Sequence, residues 1–325
     1  MKTREKILKL LRNNSQMTVH DLAEALGVSR QYVHRVLAEL EDENLILKNG
    51  AAPRVIYVLA QTQQIENSTT ISFEQETFLK QHFLLIDALG NFLEGLSAMK
   101  YWCEKQQLPL KKTIDEYVLT RTKYLDFYNA DHLIDGLEKL HNTKGIGEIG
   151  VDALFYLDFY AIERFGKTRL GTLMHYAKQG QNKSLMKIIV NEIEQRLLNF
   201  VGQNNVDAVL FVPPTIARKV QIMDVIEKLL HIDLPKIKVQ KIKGNIVVPQ
   251  KALSKIFERV ENAKNTFYAP KQKAYNHILI IDDAIGSGAT INEIALKLKS
   301  NKLAKRITGL ALTGSYKGFE VISEL

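Results

Sequence analysis

The sequence predicts a multidomain protein: a small α+β module, an all-α middle segment, and a C-terminal α/β domain with a parallel sheet. Three observations predict it. Within about the first 60 residues, three helical apolar periods precede two short strand-like runs. Residues 73 to about 140 keep a helical, aromatic-rich pattern. Near the end, Ile278 to Ile281 form a continuous apolar run, as in a parallel strand buried on both faces, and a small-residue loop and another helical period follow.

The totals agree. A chain of 325 residues is too long for one ordinary core, and 46% hydrophobic with 25% charged residues suits a globular protein. No stretch approaches the about 20 apolar residues of a membrane span. The opening Met-Lys-Thr-Arg-Glu-Lys leads into a charge-interrupted amphipathic pattern, so no signal peptide is expected. A single cysteine, Cys103, excludes an internal disulfide and a cysteine-based zinc cluster. Together these predict a cytoplasmic protein without membrane contact. The net charge of +8 is uneven: residues 159–325 hold 26 basic and 14 acidic side chains, while residues 61–158 hold 9 and 15. The basic third suggests a polyanionic ligand, against the alternative of a solvated lysine-rich surface.

In the N-terminal module, residues 3–13 carry Ile7, Leu8, Leu10 and Leu11 on one helical side. Thr18 before Val19-His20-Asp21 is a capping-box-like start for a second helix bearing Leu22, Ala23 and Leu26. Gly27 supplies a turn, Ser29 caps a third helix, and Val33, Val36, Leu37 and Leu40 form its buried stripe. Leu45-Ile46-Leu47, a turn at Asn49-Gly50, and Val55 to Leu59 complete the order helix-helix-helix-strand-strand. Over residues 3–60 this resembles the winged helix-turn-helix domains of bacterial regulators. The resemblance implies nucleic-acid contact, to DNA or RNA, through Ser29, Arg30, Gln31, Tyr32, His34 and Arg35 in the major groove, with Arg54 and Lys48 of the wing at phosphates. The alternative is protein docking or dimerisation, because the module's charge is only +2 and Glu39, Glu41, Asp42 and Glu43 crowd one helix end.

Residues 61–72 read as a polar linker and 73–157 as a helical connector or dimerisation segment, broken at Pro109 and between Asn142 and Gly150. His82, His132 and His141 stand isolated and read as surface or packing residues.

The stretch from His277 to Ala295 carries the chemistry. Two carboxylates, Asp282 and Asp283, are expected where the apolar strand ends. Ala284, Gly286, Ser287, Gly288, Ala289 and Thr290 then form a loop opening a helix with Ile291, Ile294, Ala295 and Leu298 inward. Glycines admit backbone N–H groups to phosphate oxygens, hydroxyls add donors, and the helix N-terminus favours the anion. The acids can accept hydrogen bonds from ribose hydroxyls. This stretch is similar to the phosphoribosyl pyrophosphate (PRPP) signature of type I phosphoribosyltransferases, in which paired acids hold the ribose and the loop binds the 5-phosphate. The resemblance extends over residues 158–325. Pro214, Thr215, Arg218 and Lys219 follow another apolar strand and are similar to the pyrophosphate loop. Gln250, Arg259 and Asn262 are similar to a pattern of the ComF-like branch, as is the stretch Phe165–Gly180, expected as an entry strand and helix. The zinc-binding cysteines that usually precede that branch's domain are absent.

The resemblance implies Mg²⁺ bound with PRPP, with no dedicated metal motif. Some members place an acid four residues after the first motif acid as general base; here that position is Gly286. Two functions therefore remain open. One is a DNA-binding regulator sensing PRPP or a nucleotide, since purine repressors join the same two domain types in the same order. The other is an active phosphoribosyltransferase joining the ribose to a base, an amine or a nucleic-acid end. Similar domains also serve as effectors in bacterial defence operons, which implies a possible reverse transcriptase or non-coding RNA partner. A homodimer is expected in either case.

Overall fold

The computed structural model describes residues 3–14, 16–43, 45–49, 55–59, 71–143, 145–214, 218–241, 267–269 and 273–315. The chain divides into two compact units: Met1–Ser72 with Pro109–Lys111, and Phe73–Leu108 with Lys112–Leu325.

The first unit holds α1 (Thr3–Asn13), α2 (Val19–Leu26) and α3 (Arg30–Asp42), then β1 (Ile46–Asn49) and β2 (Ile56–Leu59). The capping box forms as the sequence predicts. The Thr18 N–H donates to Asp21 Oδ2 at 2.8 Å, and the Asp21 N–H donates to Thr18 Oγ1 at 3.2 Å. Gly27 ends α2 at φ 64°, a left-handed geometry glycine adopts without strain. Ile7, Leu22, Val33, Leu37 and Leu40 close one core with Ile46 and Tyr57 of the paired strands. Met17 also bonds to Tyr57 through both backbone groups, at 3.0 and 2.8 Å, which ties the segment before α2 to the strand pair.

The second unit begins with α4 (Phe73–His82), the antiparallel pair β3 (Leu84–Ile86) and β4 (Phe92–Glu94), α5 (Gly95–Gln106) and α6 (Leu110–Leu125). There follow β5 (Ile134–Asp135), α7 (Leu137–His141), β6 (Ala153–Phe159), α8 (Arg169–Gln179), α9 (Lys183–Gln203), β7 (Ala208–Phe211) and α10 (Ile222–Leu229). The short pair β8 (Gln240–Lys241) and β9 (Phe267–Tyr268) precedes β10 (Tyr275–Ile285), α11 (Ala289–Ser300) and β11 (Ala304–Gly314). The central sheet runs β5-β6-β11-β10-β7; four strands are parallel, and β5 is antiparallel to β6. Leu279, Ile281, Leu310 and Leu312 face a core built with α8, α9 and α10. On the other face Ile291 of α11 lies against Gly309 and Leu154. Helices thus cover both faces, which explains why Ile278 to Ile281 are all fully buried.

The middle segment departs from the all-α expectation. It contains β3, β4 and β5, and the expected boundary at 157/158 cuts through β6, which pairs with β11. The run Leu154 to Leu157 is apolar and aromatic, and periodicity alone does not separate a strand buried on both faces from a buried helix. Nor is the segment a separable connector. The Thr172 and Tyr176 hydroxyls of α8 donate to the carbonyls of Leu84 and Ile86, and Tyr117 packs edge-on to Phe165 at 5.1 Å. The entry strand expected at Phe165 is instead a short 3-10 turn, Glu163–Phe165; the strand lies upstream as β6, and the helix forms as α8. His82 is a packing residue whose pKa burial pulls down to about 4, while His132 and His141 are exposed.

Candidate functional site

On the first unit, α3 presents Arg30, Gln31, His34 and Arg35 to solvent, opposite the stripe Val33, Val36, Leu37 and Leu40. Arg30 donates to His20 Nδ1 at 3.2 Å, and the Arg35 guanidinium lies 5.0 Å from the centre of the Tyr32 ring. Two predicted contact residues have local duties. Ser29 Oγ accepts the Tyr32 N–H at 3.3 Å as the helix cap, and Tyr32 is half-buried against the core. Lys48 is exposed on β1; Arg54 lies outside the described residues.

The second unit gathers its chemistry at the carboxyl ends of the parallel strands. Asp282 and Asp283 do not end β10, as the sequence suggested. The strand continues through Ile285, still in register with β11 up to Gly314. On its other side pairing with β7 stops at Ile281 and Phe211, after a last bond from the Val212 N–H to the Ile281 carbonyl at 2.9 Å. Pro213 and Pro214 follow, and without N–H groups they cannot extend the ladder. The sheet therefore opens at the acids. From β7 the chain passes through α10 to Pro235–Ile237, which bonds to the far side of Val209; from β10 it passes through α11 to β11. The two neighbouring strands send their connections in opposite directions, the arrangement that opens a ligand crevice in doubly wound sheets.

After Ile285, Gly288 takes φ 77° and caps α11, with its Cα against Leu140; a Cβ there would meet Leu140 Cδ1 at 2.8 Å. Ser287 Oγ accepts the Ala289 N–H at 3.3 Å, so the loop curls about the helix N-terminus. The helix opens at Ala289, one residue before the expected Thr290.

The electrostatics of the acids are set by their neighbours. Burial, and next the charge of Asp283, push the Asp282 carboxyl up to about 7. The Asp283 N–H donates to Asp282 Oδ1 at 2.8 Å, and the Asp283 carboxylate pairs with Lys178 of α8. Arg218, in the loop after β7, donates to the Lys178 carbonyl at 2.7 Å. Lys178 thus joins the acids to the predicted pyrophosphate loop, a link across 105 residues that no sequence spacing signals. Pro214 and Lys219 are exposed. A small cleft next to Asp283 is lined by Tyr160, His175, Lys178 and Thr313, and Tyr160 Oη lies 3.0 Å from His175 Nδ1. Thr215, Gln250, Arg259 and Asn262 lie outside the described residues.

Among the described residues no cluster of three or more His, Cys, Asp or Glu could hold a metal ion by itself, and no helix is long and apolar enough to cross a membrane. No curated protein matches the chain. Residues 2–46 match the family model described as winged helix-turn-helix DNA-binding, and the N-terminal unit, with its three helices and strand pair, carries a winged helix-turn-helix DNA-binding domain.

Proposed function

We propose that the chain is a DNA-binding regulator whose C-terminal unit binds PRPP or a related nucleotide. One observation carries the reading: adjacent carboxylates on β10 stand where β7 leaves the sheet, three residues before a Gly-Ser-Gly turn into a helix N-terminus. In this reading Asp282 and Asp283 accept the ribose hydroxyls. Backbone N–H groups of 286–290 and the Ser287 and Thr290 hydroxyls take the 5-phosphate, and Arg218 and Lys219 face the pyrophosphate. The acids are hard oxygen donors, which suits Mg²⁺ held mainly by substrate phosphates; the ion would supply charge neutralisation there.

Regulation is favoured by Lys178. Its ammonium holds Asp283 while its carbonyl holds Arg218, so a ligand drawing on both groups loosens the end of α8. Differential binding to two arrangements of α8 is the coupling that sensing requires. Gly286, at the base position of the resembled family, agrees. A second reading, an active transferase, is favoured by the Tyr160–His175 pair in the cleft beside Asp283, which in that reading would stand next to the bound ribose and could move a proton.

The test is calorimetric titration of the purified protein with PRPP and Mg²⁺, following pyrophosphate in the same samples. Binding without pyrophosphate release supports the sensor, release supports the transferase, and absence of binding sinks both.

A further inference from the structure

The basic surplus of the C-terminal third is not used up at the proposed phosphate crevice; part of it gathers at the opposite, amino-terminal end of the parallel strands. There β10 and β11 begin and α11 ends, and a cleft is lined by Lys273, Lys299, Lys302 and Lys305 together with Tyr275 and one carboxylate, Asp207. Lys273, Lys302 and Lys305 are exposed. The nearby carboxylates are already engaged. Asp207 accepts the N–H groups of Asn276 and His277 at 3.0 and 2.8 Å. Asp152 takes Lys299 Nζ at 2.8 Å and the Ile307 N–H at 2.7 Å. Among the described residues no carboxylate pairs with Lys302 or Lys305.

Lys302 adds a separate observation. Its φ is 59°, in the left-handed region where a helix usually ends on glycine or asparagine. The turn is well formed, with the Lys302 N–H on the Lys299 carbonyl at 2.9 Å and the Leu303 N–H on the Leu298 carbonyl at 2.8 Å. Gln107 ends α5 with the same left-handed geometry, so the turn is an ordinary helix ending, and what distinguishes Lys302 is the exposed cation it carries. Complementing the end of α11 does not account for the cluster: Lys297 and Lys299 already lie in the last turn, and Lys273 and Lys305 come from other segments.

We propose that this cleft is a second nucleic-acid contact, which takes the phosphate backbone of a duplex without reading its bases. Lysines are point charges without the planar fork that reads base edges, so the contact is independent of sequence. Joined in one chain to the winged helix, it raises the effective concentration of protein on DNA. The proposal does not rest on the phosphoribosyl reading.

The experiment measures fluorescence anisotropy of a labelled random-sequence duplex with the full chain over a series of salt concentrations. Wild type is compared with K273Q/K302N/K305Q and with R35A. Each phosphate contact contributes about 0.9 to the slope of log K against log salt, so the triple variant should flatten the slope by about 2 to 3 and weaken binding roughly tenfold or more near physiological salt. The same loss should appear in the R35A background. An unchanged slope with an unchanged melting temperature overturns the proposal, as does polyglutamate competing as well as the duplex at equal charge. If the triple variant melts early, Lys305→Gln alone, at the exposed start of β11, should lower the slope by about 1; no change there overturns the proposal equally.

Discussion

Asp282 concentrates the cost and the proposed use of the crevice at the carboxyl ends of the parallel strands. Its carboxyl is raised to about 7 by burial and by Asp283, whereas in the unfolded chain it titrates near the ordinary carboxylate value of about 3.9. Between about pH 4 and pH 7 the folded state therefore binds more protons, so this group's contribution to stability falls as pH rises and levels off above 7. Asp282→Asn should remove that slope and stabilise the ligand-free protein by about 1–3 kcal/mol at pH 8, as read by denaturant unfolding. The same substitution, and more so the pair with Asp283→Asn, should abolish PRPP binding by calorimetry. Unchanged affinity in the double variant would remove the site assignment. Because the acids would bind ribose in their ionised form, PRPP affinity should rise through pH 7, with proton release detectable by titration in buffers of different ionisation enthalpy.

At the scale of elements, α3 and the α6–β6 contact give separate expectations. Arg35 lies on the exposed face of α3, stacked on Tyr32 and away from the core stripe. Arg35→Ala should weaken binding to a specific DNA site by about 1–3 kcal/mol in a gel shift and leave the melting temperature unchanged; no change would favour a docking role for the module. Arg121 of α6 and Asp158 of β6 form a buried bidentate pair at 2.9 and 3.0 Å, and the Tyr128 hydroxyl donates to the same carboxylate at 2.6 Å. Asp158→Ala would leave the guanidinium buried without its partner, so about 3–5 kcal/mol of stability should be lost in chemical unfolding. A loss below about 1 kcal/mol would mean that α6 is not anchored through this pair.

The whole molecule consists of two compact units, and the first has its own core of Ile7, Leu22, Val33, Leu37 and Leu40. Deleting residues 1–65 should therefore leave PRPP affinity within about twofold while removing α3 and its DNA contact. Loss of PRPP binding in that deletion would mean that the winged helix completes the ligand site.

Local chemistry carried the features that the sequence alone determined. The Thr18–Asp21 capping box, the turn at Gly27 and the stripe on α3 each lie within a few residues, and all three form. The apolar run Ile278–Ile281 before a small-residue turn and α11 was equally legible, because burial on both faces leaves a continuous signature. Tertiary structure decided what depends on distant neighbours. It assigned Leu154 to Phe159 to a strand by giving it β11 as a partner. It opened the sheet at Asp282 rather than at the end of β10, because Pro213 and Pro214 withdraw β7. It placed Lys178 against Asp283 and drew lysines from three segments into one cleft. Periodicity reports which face of an element is buried, but what that face or a charged tip meets is fixed only when strands about 30 to 155 residues apart pair.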